Sequence, residues 1–358
     1  MFRSRMTRGI AAGAAAGLLL AVSACGGTTR GDEEEAAETG AVGEADPNAE
    51  IPEGLAVSYL PKQLNNPYFT FANTGGSEVA EELGAEFKEV GPSEANASSQ
   101  VSYINTLSQQ GSDVIVLAAN DPNAVCSALN SARQAGAKVV TYDSDTAPEC
   151  RDAFVNQASA EGLAKVQVEM IAEQIDGEGE IAFLSATPNA TNQNLWLELM
   201  EEELSSNPDY EGIEVVDTVY GNDDDQKSFQ EMQGLLQTHP DLKGVVSPTT
   251  VGLAAAARYV SDSEFKGEVA VTGLGTPNQM REYVENGTVE EFALWNPKDM
   301  AYLAGYTGAA LAAGQITGEQ GQTFTAGRLG DYEIGENGEI VLGEPTRFNA
   351  DNIDDYDF

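Results

Sequence analysis

The 358 residues leave room for two domains of ordinary size, each with its own core. Hydrophobic residues make up 41% and aromatics 7%, as in soluble globular proteins. The formal net charge of −40, from 18 Lys+Arg against 58 Asp+Glu, excludes nucleic acid as a partner, because phosphates require a basic face.

Arg3, Arg5 and Arg8 precede an Ala/Leu-rich run from Ile10 to Val22 that is too short to span a bilayer comfortably, followed by small residues. This is the pattern of a secretory signal. Its end, Leu20-Ala21-Val22-Ser23-Ala24-Cys25-Gly26, resembles the bacterial lipoprotein box. Residues 1–25 are therefore expected to be a lipoprotein signal peptide, with lipid on Cys25 holding the mature chain at the outer face of the cell membrane. A plainly secreted protein with a chance cysteine is the alternative. Residues 26–53 hold almost nothing apolar and read as a flexible acidic tether.

From Gly54 strands alternate with helices. Leu55 to Leu60 is a strand, running into the polar loop Pro61 to Pro67 and a helix carrying Phe69, Ala72, Val79 and Leu83. Val101, Ile104 and Leu107 mark a second helix. Val114 to Ala118 is a buried strand ending in Asn120-Asp121-Pro122, with Pro122 suited to the first turn of the helix that buries Val125, Leu129 and Ala132. Gly136 stops that helix, and the β-branched run Lys138 to Tyr142 ends in Asp143-Ser144-Asp145. In open α/β sheets ligands sit outside the carboxyl ends of strands, which places Asp143 to accept hydrogen bonds from a small polyhydroxylated molecule. Taken alone, the same run fits a solvated turn.

Past Cys150 the alternation restarts. Strands are read at Ala153 to Asn156, Glu180 to Ser185, Glu214 to Val219, Val245-Val246 and Val269 to Thr272, with helices between them. Their polar tips include Asn192-Gln193, Asp223-Asp224-Asp225 and Pro248-Thr249-Thr250. The Asp run could contact a ligand or face solvent, and solvent is the preferred reading. Strands alternating with helices imply parallel sheets, and two such series imply two similar Rossmann-like lobes facing a shared cleft.

Gly273-Leu274-Gly275 lacks the third glycine of a dinucleotide fingerprint, and no Cys/His cluster has metal spacing, so no cofactor is expected. The one histidine, His239, lies in a Thr-His-Pro-Asp turn and is expected to be exposed. Cys126 and Cys150, on a helix after one strand and in the loop after the next, suggest a disulfide in an exported chain.

Several stretches together resemble the ribose-type sugar receptors of bacterial ABC importers, above all their rhamnose-binding and autoinducer-2-binding branches. They are Leu64-Asn65-Asn66-Pro67-Tyr68-Phe69, Thr141-Tyr142-Asp143-Ser144-Asp145 and Asn156-Gln157-Ala158-Ser159. Others are Ser185-Ala186-Thr187-Pro188 with Thr191-Asn192-Gln193-Asn194, Ser247-Pro248-Thr249-Thr250, Ala293-Leu294-Trp295-Asn296-Pro297, and the close from Asp351 to Phe358. The resemblance covers about residue 54 to the end.

It implies the type I periplasmic-binding-protein architecture, α/β with a three-strand hinge. The amino-terminal lobe would be 54–157 plus 296–324, and the carboxy-terminal lobe 158–295 plus 325–358. Crossings are expected near Asn156–Ser159, near Trp295–Pro297 and around Thr323–Arg328. By this resemblance Asp143 matches the carboxylate that binds adjacent hydroxyls. Lys62, Gln193 and Pro248 match residues of the autoinducer-2 branch, as do Cys126 and Cys150. Asn192 and Thr250 depart from that branch, which has Asp and Ala there, and follow the rhamnose type.

The implied protein is a monomeric binding lipoprotein that closes on rhamnose or a related small sugar. It would deliver the sugar to permease and ATPase subunits and touch the membrane only through its anchor, with autoinducer-2 as the alternative ligand. A cleft that takes in a sugar must replace the hydrogen bonds of its hydration. Asp143 offers an acceptor, Lys62 a donor, and Asn66, Asn120, Asn192 and Gln193 offer both. Phe69, Tyr68 and Trp295 offer flat apolar faces beside Pro248, Thr249 and Thr250, whereas Trp196, beside Leu199, fits core packing equally well. An enzyme is disfavoured: Asp143 and Asp145 leave one strand end together and cannot flank a glycosidic bond. A DNA-binding repressor would need a helix-turn-helix where the export signal stands.

Overall fold

The computed structural model describes residues 45–358. The signal segment, Cys25 and tether residues 26–44 lie outside the described residues. The last part of the expected tether is packed against the body of the protein: Asp46 N–H donates to Gly314 O (2.9 Å) and Gln315 Nε2 to Ala49 O (2.7 Å).

The amino-terminal lobe contains β1 (Ala56–Leu60), α1 (Pro67–Leu83), β2 (Glu86–Glu89), α2 (Ala97–Gln109), β3 (Val114–Leu117), α3 (Cys126–Gln134), β4 (Lys138–Tyr142) and β5 (Ala153–Asn156). Val-Ile-Val-Leu of β3 is buried throughout, as expected of a central parallel strand covered on both faces. Glu-Phe-Lys-Glu of β2 is mostly exposed at the sheet edge, where charge guards against pairing with other chains. Its lack of an apolar pattern kept it from being predicted. Helix α1 is capped by Asn66, whose side chain accepts the Tyr68 N–H, has Pro67 in its first turn, and ends at left-handed Gly84. Helix α3 starts at Cys126, later than Pro122 suggests, because Asp121 Oδ1 accepts the N–H groups of Asn123 and Ala124 in a separate turn.

The carboxy-terminal lobe contains α4 (Ala160–Gln174), β6 (Glu178–Ser185), α5 (Thr191–Ser206), β7 (Gly212–Tyr220), α6 (Asp225–Thr238), β8 (Leu242–Ser247), α7 (Thr250–Ser261), β9 (Ala270–Gly273), α8 (Pro277–Glu285) and β10 (Glu291–Leu294). The chain then runs through α9 (Pro297–Ala313), the antiparallel pair β11 (Thr323–Thr325) and β12 (Asp331–Glu333), β13 (Glu339–Val341) and β14 (Thr346–Asn349).

The first sheet is parallel with order β13-β5-β4-β3-β1-β2; the second, also parallel, has order β7-β6-β8-β9. Strand β10 touches the second sheet through a Leu274–Ala293 bridge and pairs antiparallel with β14. In both sheets the order reverses beside the first strand, between β1 and β3 and between β6 and β8, which is where open α/β sheets hold ligands. Helix α9 lies on α1 so closely that a Cβ at Gly75 would meet Lys298 O at 1.9 Å.

The chain passes between lobes from β5 to α4, from β10 to α9 and from β13 to β14. The third passage corrects the expected one. Thr323–Arg328 belongs to the β11–β12 hairpin, and the chain stays with the first lobe until β13 has paired beside β5, through Ile340 opposite Val155. The assignment of all of 325–358 to the second lobe is corrected with it.

Cys126 and Cys150 are joined in a disulfide. His239 is half-buried rather than exposed, with Nε2 3.3 Å from Asp217 Oδ2.

Candidate functional site

Loops at the carboxyl ends of both sheets line a narrow cavity of about 30 Å³ between the lobes. The first lobe contributes Lys62, Asn66, Tyr68, Phe69 and Asp143. The second contributes Asn192, Gln193, Trp196, Asp223, Pro248, Thr249, Thr250, Leu274 and Leu294, and Trp295 lines the cavity from the second crossing.

Asp143 follows β4 directly, with its backbone in the left-handed region (φ 61°), a conformation costly for a residue with a Cβ and frequent at ligand sites. It is 5% exposed. Tyr68 O–H donates to its Oδ2 (3.0 Å), and Trp295 Nε1–H donates to Tyr68 Oη (3.0 Å). Burial, and then the charge of Asp143, push the Tyr68 hydroxyl well above its usual range, so it remains a donor. Lys62 Nζ stands 3.1 Å from Asp143 Oδ1. That approach is ionic only: Oδ1 is buried and receives no aligned hydrogen bond.

The lobes meet around this pair. Lys62 Nζ donates to Asn192 Oδ1 (3.3 Å), and Asn192 Nδ2 donates to the Asp143 carbonyl (3.1 Å). Gln63 Nε2 donates to the Asp223 carbonyl (3.1 Å). Asn66 and Gln193 line the wall with one end engaged: Asn66 Oδ1 caps α1, and Gln193 Oε1 accepts from Ser185 Oγ and Ala186 N–H. Each leaves an amide NH₂ for the cavity. Trp196 and Trp295 have ring centroids 6.2 Å apart, and Tyr68 stands edge-on to both Phe69 and Trp295.

Of the residues singled out in the sequence, Lys62, Asn66, Phe69, Asp143, Asn192, Gln193, Pro248, Thr249, Thr250 and Trp295 share the cavity wall. Asn120 does not. Its Nδ2 donates to the Lys62 carbonyl (2.8 Å) and its N–H to Gln100 Oε1 (2.9 Å), so it supports the loop that presents Lys62. Asp145 turns away to Arg151, which donates Nε to its Oδ1 (2.6 Å) and Nη2 to its Oδ2 (2.7 Å).

Asp223 corrects the expectation of solvent exposure. It is 9% exposed, lines the cavity, and its Oδ1 accepts from Thr249 Oγ1 (2.5 Å). Nothing in an Asp-Asp-Asp run distinguishes the one that turns inward. Leu274 and Leu294 were also missed, because apolar residues at strand ends read as core.

The chain matches the periplasmic binding protein domain over residues 57–316. It is 24% identical over 277 residues to the D-ribose/D-allose-binding protein of Pseudomonas aeruginosa, across 75% of this chain and 85% of that protein. Among solved structures it is similar to a sugar ABC transporter protein from Actinomyces odontolyticus, at 56% identity over 88% of this chain and 100% of that one, with a TM-score of 0.71. It is also similar to an ABC transporter solute binding protein from Clostridium phytofermentans with bound L-rhamnose. There the identity is 34%, the coverage 85% and 99%, and the TM-score 0.82. With two parallel α/β lobes meeting over a buried polar cavity, the chain belongs to the periplasmic binding protein domain family.

Proposed function

We propose that the protein is the extracytoplasmic binding lipoprotein of an ABC-type sugar importer, taking L-rhamnose or a related small sugar into the cleft by hinge closure. It works as a monomer, anchored through Cys25, and hands its ligand to permease and ATPase subunits. One observation carries the reading: Asp143 Oδ1 is a buried carboxylate oxygen without an aligned donor, facing an aromatic-lined cavity. A sugar hydroxyl supplies the missing donor.

The remaining wall suits the rest of a deoxyhexose. Lys62 Nζ and the free amides of Asn66 and Gln193 donate to ring and hydroxyl oxygens. Phe69, Trp196 and Trp295 cover C–H faces and the 6-methyl group, whose burial is worth about 0.8 kcal/mol. The likeness to the L-rhamnose-bound protein supports this ligand, as do Asn192 and Thr250.

Both tryptophans of the chain line the cavity, so fluorescence excited selectively in tryptophan reports on the site. Titration with L-rhamnose is expected to give a saturating change. Saturation by autoinducer-2 with no response to L-rhamnose would instead make the protein an autoinducer-2 receptor. A flat response to L-rhamnose, D-ribose and autoinducer-2 alike rejects the sugar reading.

A further inference from the structure

Asp223 has a construction that its own loop does not need. Asn222 and Asp223 are both left-handed (φ 58° and 50°), and the pair aims the Asp223 side chain into the cavity while Asp224 caps α6 through the Lys227 N–H. Thr249 sits at the N-cap of α7, where a threonine hydroxyl ordinarily accepts a backbone N–H of the first turn. It makes no such bond, and instead donates to Asp223 Oδ1. A stabilising local contact is thus given up to hold one carboxylate oxygen. The Asp223 carbonyl is engaged by Gln63. Among the described residues no group donates to Oδ2.

The charges around it leave it without a cation of its own. Lys62 is drawn to Asp143, and burial pushes the Asp223 carboxyl up, with Lys62 and the Thr249 hydrogen bond pulling the other way. A buried acid kept in an unfavourable place, on the wall of the cavity, with one oxygen braced and the other without a donor, is the arrangement of a binding group.

We propose that Asp223 is a ligand-binding side chain, accepting one hydroxyl of the bound sugar through Oδ2 from the lobe opposite Asp143. The assignment rests on the sugar-binding reading above. It gives the cavity an acceptor on each lobe, so the ligand bridges the lobes and its closure is selective for sugars with a hydroxyl at both places. A mere brace for the Thr249 loop is the competing role, and a chemical cycle separates the two.

Affinities of the full chain, Asp223→Asn and Asp223→Ala for L-rhamnose and its singly deoxygenated analogues are measured by calorimetry, with unfolding midpoints at neutral pH. Asp223→Ala is expected to weaken L-rhamnose roughly tenfold or more. One deoxygenated analogue is expected to lose a similar factor on the parent but nothing further on Asp223→Ala. Asp223→Asn, which keeps the shape without the buried charge, is expected to unfold no earlier than the parent. An unchanged affinity in Asp223→Ala, or a deoxygenation penalty that survives in it, overturns the assignment. A parent that binds none of L-rhamnose, D-ribose and autoinducer-2 rejects the sugar reading and this assignment together.

Discussion

Asp143 is oriented by partners from three elements. The chain Trp295 to Tyr68 to Asp143 fixes one oxygen, Lys62 faces the other, and a left-handed backbone sets the direction. Tyr68→Phe removes the middle of that chain and strands the Trp295 N–H. It is expected to weaken sugar binding by about 1–3 kcal/mol, read by calorimetry, with no change in the ligand preferred. An unaltered affinity would show that Lys62 alone suffices to hold the carboxylate. Part of this site was legible because strand ends are legible: Asp143 follows a β-branched run that stops at polar residues, whereas Lys62, Gln193 and Pro248 stood out only through the resemblance to the autoinducer-2 branch. What could not be read was how each polar group is committed. Asn120 looks like a ligand contact until its amide is found on the Lys62 carbonyl, and Asp223 looks like a solvated turn until two successive left-handed residues point it inward.

Among the elements, the loop between β4 and β5 is tied to two neighbours. The Cys126–Cys150 disulfide fastens it to the start of α3. Arg151 links Asp145, two residues from the cavity-lining Asp143, to the carbonyl of Asn337 (2.7 Å) ahead of β13. With the cysteines 24 positions apart in sequence, replacing both by serine is expected to cost about 3 kcal/mol in denaturant unfolding. A loss too small to measure would mean that the Arg151 network holds the loop unaided. The helices with one apolar stripe, such as α2 and α3, could be read from periodicity. Helix α9 could not: it is buried on nearly every side, from Met300 through Leu311, and offers no polar face to set a period. Strands β11 to β14 are only three or four residues long, and no pattern in them announces which lobe each will join.

Across the whole molecule, the two lobes touch through side chains of the candidate site itself. Asn192 accepts from Lys62 and donates to the Asp143 carbonyl, so the residue that completes the wall also latches the cleft. Asn192→Ala is expected to enlarge the radius of gyration of the sugar-free protein in small-angle scattering, with saturating sugar restoring the smaller value. An unchanged radius would place the latch elsewhere among the contacts between lobes.

The position of β13 bears on how the chain is made. The amino-terminal lobe is first off the ribosome, yet its sheet is finished by Glu339–Val341 and one face is covered by Pro297–Ala313. Until those late segments arrive, β5 remains a bare edge and α1 lacks the helix packed on it, so the early-born half must wait as an incomplete, sticky intermediate. A nascent chain halted before residue 297 accordingly lacks both the strand that completes this sheet and the helix that covers α1, and the two lobes are not separable modules.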